Sequence, residues 1–572
     1  LRAAGLAVLI ARLMAFETEP VISSAPASQQ KKRGRGMGVS RRRVVQGALA
    51  SGTIASVGLP RIGCAQAVVP ASQTIRAVMQ GDLRSFDPIW TTANITAYHG
   101  ALIYDMLFSI DAAFKPQPQM VDTWTVSDDK LTYTFKLRDG LAWHDGTPVT
   151  AADCVASIRR WAARDGGGQV MLAQTRAMSV KDPKTFTIEL SSPFGLVVEV
   201  LAKQSTPVCF MMPLKDAQTD PNQQISGRIG SGPFIFNAGE TRPGNRYVYD
   251  RNTRYVPRKE PASGMAGGKV AKVARVILEN LADDQTALAA LQTGEIDFFE
   301  VIPIDFLPQV KDDPNITVEI LNKTGNMGFL GMNNLHPPFD NVKARQAMLY
   351  LVNQSDFMKA SFGDPKYYRT CGSYFGCGTD MENDANTGWF KAAPDKAMAK
   401  KLFMQSGYAG KPVVILQPTN FAFMNNAATI LGQELTDIGV KVDLAASDWG
   451  GVITRRAVQA PVDKGGWDIF TTFSSGYTLS NPVSYIADAS NGTNAWFGWP
   501  TDALNQQLRT QWAAAPTLAA RQAIARKIQE NAWNFVPHAF LGQWVSPVAH
   551  RSTVTGWLAV PEIIPFWNVS KS

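Results

Sequence analysis

LTYTFKLRDGLAWHDGTPVTAAD, residues 131–153, carries the local signals from which the fold can be read. Leu131, Tyr133, Phe135 and Leu137 alternate with Thr132, Thr134, Lys136 and Arg138, the period of two of a half-buried strand. Asp128-Asp129 before it and Asp139-Gly140 after it are turn material. Trp143 to Pro148 predicts a second short strand ending in a tight turn. Thr150 and Asp153 then have the spacing of a capping box, opening a helix whose apolar positions include Val155, Ile158 and Trp161. The stretch predicts a compact α+β piece.

The same mixture continues outward. Gly230-Ser-Gly-Pro-Phe234 punctuates a strand start, Tyr247 to Tyr249 is extended, and Val276-Ile277 is a strand. A helix through Thr286–Leu291 stops at Gly294, and Ile296 and Phe298 begin another strand. Strand, helix, strand at this spacing argues for parallel sheet. Met327–Met332 is apolar, and Pro337-Pro-Phe-Asp340 leads into a helix through Val342, Ala347 and Leu351, with Asp340 expected as its cap. Val413–Leu416 is predicted as strand, Ala427–Ile438 as helix ending at Gly439, and Val440–Leu444 as strand. No fixed-period repeat is visible, which disfavours solenoids and propellers.

Charge is unevenly placed along the 572 residues. Of 56 basic and 48 acidic side chains, ten basic and two acidic lie in residues 1–67, which leaves 46 of each for 68–572. The body therefore offers no electrostatic case for nucleic acid. Ser40-Arg41-Arg42-Arg43 precedes a weakly apolar run to Pro60, and Ala65-Gln-Ala67 supplies a small-residue cleavage site. The paired arginines and the modest apolar stretch resemble a twin-arginine export signal, with cleavage expected after Ala67. Residues 1–36 read as an over-extended start before Met37. Cys64 raises lipid attachment, but Arg61 stands where a lipoprotein signal wants Leu. Nothing in 68–572 approaches the run of apolar residues needed to span a membrane.

In an oxidising compartment Cys371 and Cys377, six residues apart in a Gly-rich loop, are placed to form a disulfide. Cys154 and Cys209 read as buried small hydrophobes. Five His spread over the whole chain give no metal cluster, and no metal or cofactor is expected.

From about Ile75 to about Trp544, ordered blocks resemble the extracytoplasmic solute-binding proteins of peptide/nickel-type ABC importers. These blocks are Tyr104–Phe108, Trp124–Asp129, Leu131–Arg138, Gly140–Pro148, Gly230–Phe234, Leu291–Asp297 and Pro338–Ala347. The resemblance implies a mixed α/β, type II periplasmic-binding-protein fold of two lobes that enclose a ligand. Transferred here, lobe one would be 68–330 plus 538–572, with an extra subdomain at about 106–226, and lobe two 331–537. The crossings would lie near Gly328–Asn333 and Val536–Gly542.

Ligand chemistry is expected in lobe two. Trp449 resembles the family's cavity-lining Trp, and Arg456 matches a basic position that meets ligand carboxylate. Trp467 to Phe470 resembles the strand leading into the cleft. In peptide binders an Asp that pairs with the peptide ammonium follows that strand, but Thr471–Pro482 contains no acid. An ammonium buried without a carboxylate would cost roughly several kcal/mol, which speaks against an ordinary free-amino peptide. The aromatics Phe473, Tyr477, Trp496, Phe497 and Trp499 either face the solute or form core.

The expected function is capture of a peptide, peptide-like or other small solute in the periplasm and its delivery to a membrane permease driven by an ATPase. His144-Asp145 has the residue types of an acid–base pair but reads instead as hairpin structure. The alternatives are a secreted hydrolase and a periplasmic sensor or chaperone on the same fold. G-x-S-x-G and H-E-x-x-H are both absent, so no catalytic residue is assigned and a monomeric binding protein is favoured.

Overall fold

The computed structural model describes residues 69–391 and 393–572. The export signal, the cleavage site and Cys64 lie outside the described residues. Thr132–Leu137 is a strand with Tyr133, Phe135 and Leu137 buried, as its alternation requires. It lies in a four-stranded antiparallel sheet between Val121–Val126 and Thr185–Leu190, and Thr175–Asp182 forms the far edge. The helix Ala151–Ala162 follows. Thr150 accepts the Asp153 backbone N–H, and the Asp153 carboxylate accepts the Thr150 N–H in return.

The second strand expected at Trp143–Pro148 is reduced to a single bridge between Ala142 and Pro148. Trp143 N–H still donates to Thr147 O at 2.8 Å, closing the turn, but His144 bonds elsewhere. His144 N–H donates to Gly230 O at 2.8 Å, Gly230 N–H donates to His144 Nδ1 at 3.1 Å, and His144 Nε2 donates to Gly232 O at 3.3 Å. Burial holds the imidazole down at about 4, in keeping with this neutral role. The backbone at Gly230 in turn presses on Ile103: a Cβ there would lie 1.7 Å from the Ile103 carbonyl oxygen. The His-Asp and Gly-Ser-Gly-Pro motifs are therefore two sides of one backbone junction.

Two larger sheets organise the rest. The seven-stranded sheet runs Phe234–Phe236, Arg246–Arg251, Arg275–Glu279, Thr74–Val78, Phe298–Phe299, Val548–Arg551, Ile316–Glu319. Thr74–Val78 is parallel to both Arg275–Glu279 and Phe298–Phe299, as the strand–helix–strand spacing predicted. Its two faces are covered, one by the helix Asp284–Thr293 through Ala287, Leu288 and Leu291, the other by the tail residues Ile563, Phe566 and Trp567. The six-stranded sheet runs Tyr368–Arg369, His538–Trp544, Asn326–Met332, Ile469–Ser475, Val413–Pro418, Val442–Ser447.

The chain passes between these sheets twice, at 320–325 and at 545–547. The crossings expected at 328–333 and 536–542 fall instead inside or beside paired strands of the six-stranded sheet, because Asn326–Met332 pairs with both Ile469–Ser475 and His538–Trp544. Asp340 is not the helix cap. Asn341 caps Val342–Leu351 by accepting the Lys343 N–H at 3.0 Å, since Asp340 lies one residue too early. The helix expected at Ala427 begins at Ala422 and runs to Asp437. Cys371 and Cys377 form a disulfide, and Cys154 and Cys209 are buried. Among the described residues no helix is long and apolar enough to cross a membrane.

Candidate functional site

The parallel strands of both sheets end at one cleft, where open α/β sheets place their ligands. From the seven-stranded sheet come Gln80, just past Thr74–Val78, and Glu300, just past Phe298–Phe299. From the six-stranded sheet come Asn420 and Phe421, Asp448 and Trp449, and Ser475. The cleft has a volume of about 1140 Å³, slightly above the roughly 300–1,000 Å³ usual for small-molecule sites.

Trp449 opens the short helix Trp449–Arg455, which Asp448 caps by accepting the Gly451 N–H at 2.8 Å. Arg456 ends that helix and is 1% exposed. Its guanidinium carbon lies 5.2 Å from the Trp449 ring, 5.4 Å from Trp496, 5.8 Å from Phe470 and 4.6 Å from Phe497. One nitrogen donates to Thr92 Oγ1 at 3.3 Å, and Nε has no partner among the described residues. Desolvation pulls its pKa down to about 9. A buried cation held by aromatic faces and one hydroxyl, with no carboxylate acting on it, is chemically a receptor for an anion.

Four of the six expected residues line the cleft: Trp449, Arg456, Phe473 and Trp496. Phe497 packs against the Arg456 guanidinium and Tyr477 against Phe114, with ring centroids 5.5 Å apart; neither lines the cleft. Trp499 is buried against Trp467. Asp468 is structural, accepting the Val414 N–H at 2.8 Å.

Reading the sequence alone misses the acids. Glu300 accepts from the Tyr98 hydroxyl and, at 2.5 Å, from the Gln80 N–H, and burial raises its pKa to about 7. Glu562, from the C-terminal tail, accepts from the hydroxyls of Ser475 and Thr478, and burial raises its pKa as well. The segment 471–482, which has no acid of its own, thus meets one from elsewhere in the chain. Pro561 before Glu562 is the sole local signal, and it marks a turn rather than a site.

Contacts that join the two walls include Arg84 with Asp448, Thr92 with Arg456, and Glu562 with Ser475 and Thr478. Among the described residues no group of three or more His, Cys, Asp or Glu is disposed to hold a metal.

The family described as bacterial extracellular solute-binding proteins, family 5 Middle, matches residues 115–496. A probable peptide ABC transporter periplasmic-binding protein of Sinorhizobium fredii is 48% identical over 94% of this chain and all of its own length. The glutathione-binding protein GsiB of Escherichia coli K12 is 26% identical over 88% of this chain and 96% of its own. Among solved structures, the periplasmic binding protein AgaA with agropinic acid superposes with a TM-score of 0.73 at 23% identity, covering 87% of this chain and 99% of that one. A dipeptide-binding protein of Pseudoalteromonas sp. SM9913 with Met-Leu gives 0.72 at 18% identity, over 87% of this chain and 100% of that one. At such identities the superpositions speak for the fold alone: the two-lobe, type II periplasmic-binding-protein architecture.

Proposed function

The chain belongs to the family 5 bacterial extracellular solute-binding proteins and is the solute-capturing component of an ABC importer, and from that premise we propose that its solute is peptide-like and bears a carboxylate. The observation that carries this reading is Arg456, buried in the cleft with an unpartnered Nε and no acid beside it. The names of the Sinorhizobium and Escherichia relatives, a peptide and a glutathione binder, agree with a carboxylate-bearing solute. Trp449, Phe473 and Trp496 supply apolar walls for its uncharged parts.

Capture is a hinge equilibrium. The crossings at 320–325 and 545–547 separate a lobe of about 69–322 with 546–572 from a lobe of about 323–545, and the four-stranded piece belongs to an extra subdomain of about 106–226. A solute touching both walls favours the closed form by as much as it prefers that form. A micromolar dissociation constant corresponds to about −8 kcal/mol, within reach of one charged contact and a few desolvated aromatic ones. The closed monomer docks on the permease, an ATPase drives transfer, and no bond of the solute is broken. Export follows the twin-arginine route, so Arg41→Lys with Arg42→Lys should leave the protein in the cytoplasm on cell fractionation. Release of the double variant into the periplasm at the normal level would remove that route.

The test of the solute is mass spectrometry of small molecules released from the purified protein, with thermal-shift screening of di- and tripeptides. The expected result is stabilisation by peptides, lost on amidation of the C-terminal carboxylate. Equal stabilisation by acid and amide would exclude Arg456 as the carboxylate's partner.

A further inference from the structure

Among the described residues, the ionisable groups at the two ends of the cleft have no ion-pair partner. At one end is Arg456, 1% exposed, with Nε unpartnered and its charge facing aromatic rings. At the other are Glu300 and Glu562. Glu300 is held by the Tyr98 hydroxyl and the Gln80 N–H, Glu562 by the Ser475 and Thr478 hydroxyls, and all of these donors are neutral. The cation acting on Glu562 is Lys203, and its ammonium is already committed to Asp165 at 2.8 Å and to the Ser205 carbonyl at 2.7 Å. Tyr98, hydrogen-bonded to Glu300, lines the cleft together with both acids. Glu562 is also held at φ 71, in the left-handed region that a residue with a Cβ enters at a cost. A half-buried carboxylate, strained into place and left without a cation, is costly to the free protein.

Resting on the carboxylate reading above, we propose that this acidic end, with Glu562 as the direct partner and Glu300 and Tyr98 beside it, takes a cationic group of the same solute, so that the cleft selects a zwitterion. An ammonium is the chemistry that fits, because three N–H donors match a carboxylate and neighbouring hydroxyl oxygens. The acid missing from 471–482 is thereby supplied in trans along the chain, by the tail. The hydroxyls of Ser475 and Thr478 belong to the six-stranded half and Glu562 to the tail of the other half, so an ammonium seated there touches both walls.

The test is calorimetric titration of the purified protein with trialanine, N-acetyl-trialanine and trialanine amide, repeated with Glu562→Gln. Acetylation should weaken binding roughly tenfold to a hundredfold in the wild type, the range of a lost charge-assisted hydrogen bond, and much less in Glu562→Gln. Equal binding of trialanine and its acetylated form by the wild type overturns the proposal and leaves the carboxylate reading standing. Equal binding of acid and amide does the reverse. The acetylation arm needs no variant, so it stands even if Glu562→Gln misfolds. Should none of the three bind at millimolar concentration, the solute released from the protein decides. A solute with a cationic group supports the proposal even if it is not a peptide, a solute without one overturns it, and no solute at all overturns both readings.

Discussion

An arginine buried among four aromatic rings is kept at the expense of stability, which is what the anion-receptor role proposed for it requires. Arg456→Met removes the desolvation penalty together with the ring contacts, so its unfolding free energy should lie within about 1 kcal/mol of wild type. Affinity for a carboxylate solute should nevertheless fall about tenfold to a hundredfold in calorimetry. A large loss of stability would instead mark Arg456 as structural. Glu300 makes a prediction with a sign. Its pKa rises from 4.5 to about 7 on folding, so the folded state binds more protons than the unfolded one between those values. Its contribution is fully present below about pH 4.5 and is lost as pH rises through about 7. The midpoint of thermal unfolding should fall less over that window in Glu300→Gln than in wild type. Sequence exposes Trp449 and Arg456 because they match family positions that line the cleft, and the short helix Trp449–Arg455 with its cap carries both. It hides Glu562, which meets Ser475 across 87 residues of chain, because only the packing of the tail creates that proximity.

At the scale of elements, what could be read was what depends on neighbours in sequence. The alternation at 131–137 and the reciprocal hydrogen bonds of Thr150 and Asp153 are local, and both appear as expected. Thr150→Ala should cost about 1 kcal/mol in denaturant titration, the usual worth of a cap. Where the outcome depends on a distant partner, the reading strays. Trp143–Pro148 has the composition of a strand, yet its backbone at His144 is claimed by Gly230 and the His144 ring by Gly230 and Gly232. Asn341 and Asp340 are equally good caps by type, and only the path of the chain separates them. The cysteine pair is local again: it closes a loop with a sequence separation of 6, so replacing both by Ala should cost about 2 kcal/mol by loop-closure entropy. Reduction of the wild type should produce a matching loss in the same titration.

For the whole molecule, the cleft is a place where two separately covered sheets meet, and their closing contacts differ in kind. Arg84 and Asp448 are both about half exposed, so their ion pair is screened and worth at most about 1 kcal/mol. Arg84→Ala should therefore weaken solute binding no more than about fivefold, and 0.5 M salt should reduce even that difference. A larger, salt-insensitive effect would place Arg84 in contact with the solute. The two-lobe architecture was legible from ordered blocks, whereas the crossing points were not, because apolar strand residues look alike on either side of a hinge. The return crossing also governs when the protein can be finished. Val548–Arg551 is inserted between Phe298–Phe299 and Ile316–Glu319, pairing with both. Those strands leave the ribosome more than two hundred residues earlier, so the seven-stranded sheet stays open while the entire second lobe is made. A nascent chain halted before residue 548 has a gap in its first lobe and no Glu562, and that wall of the cleft is completed only after the second lobe has been synthesised.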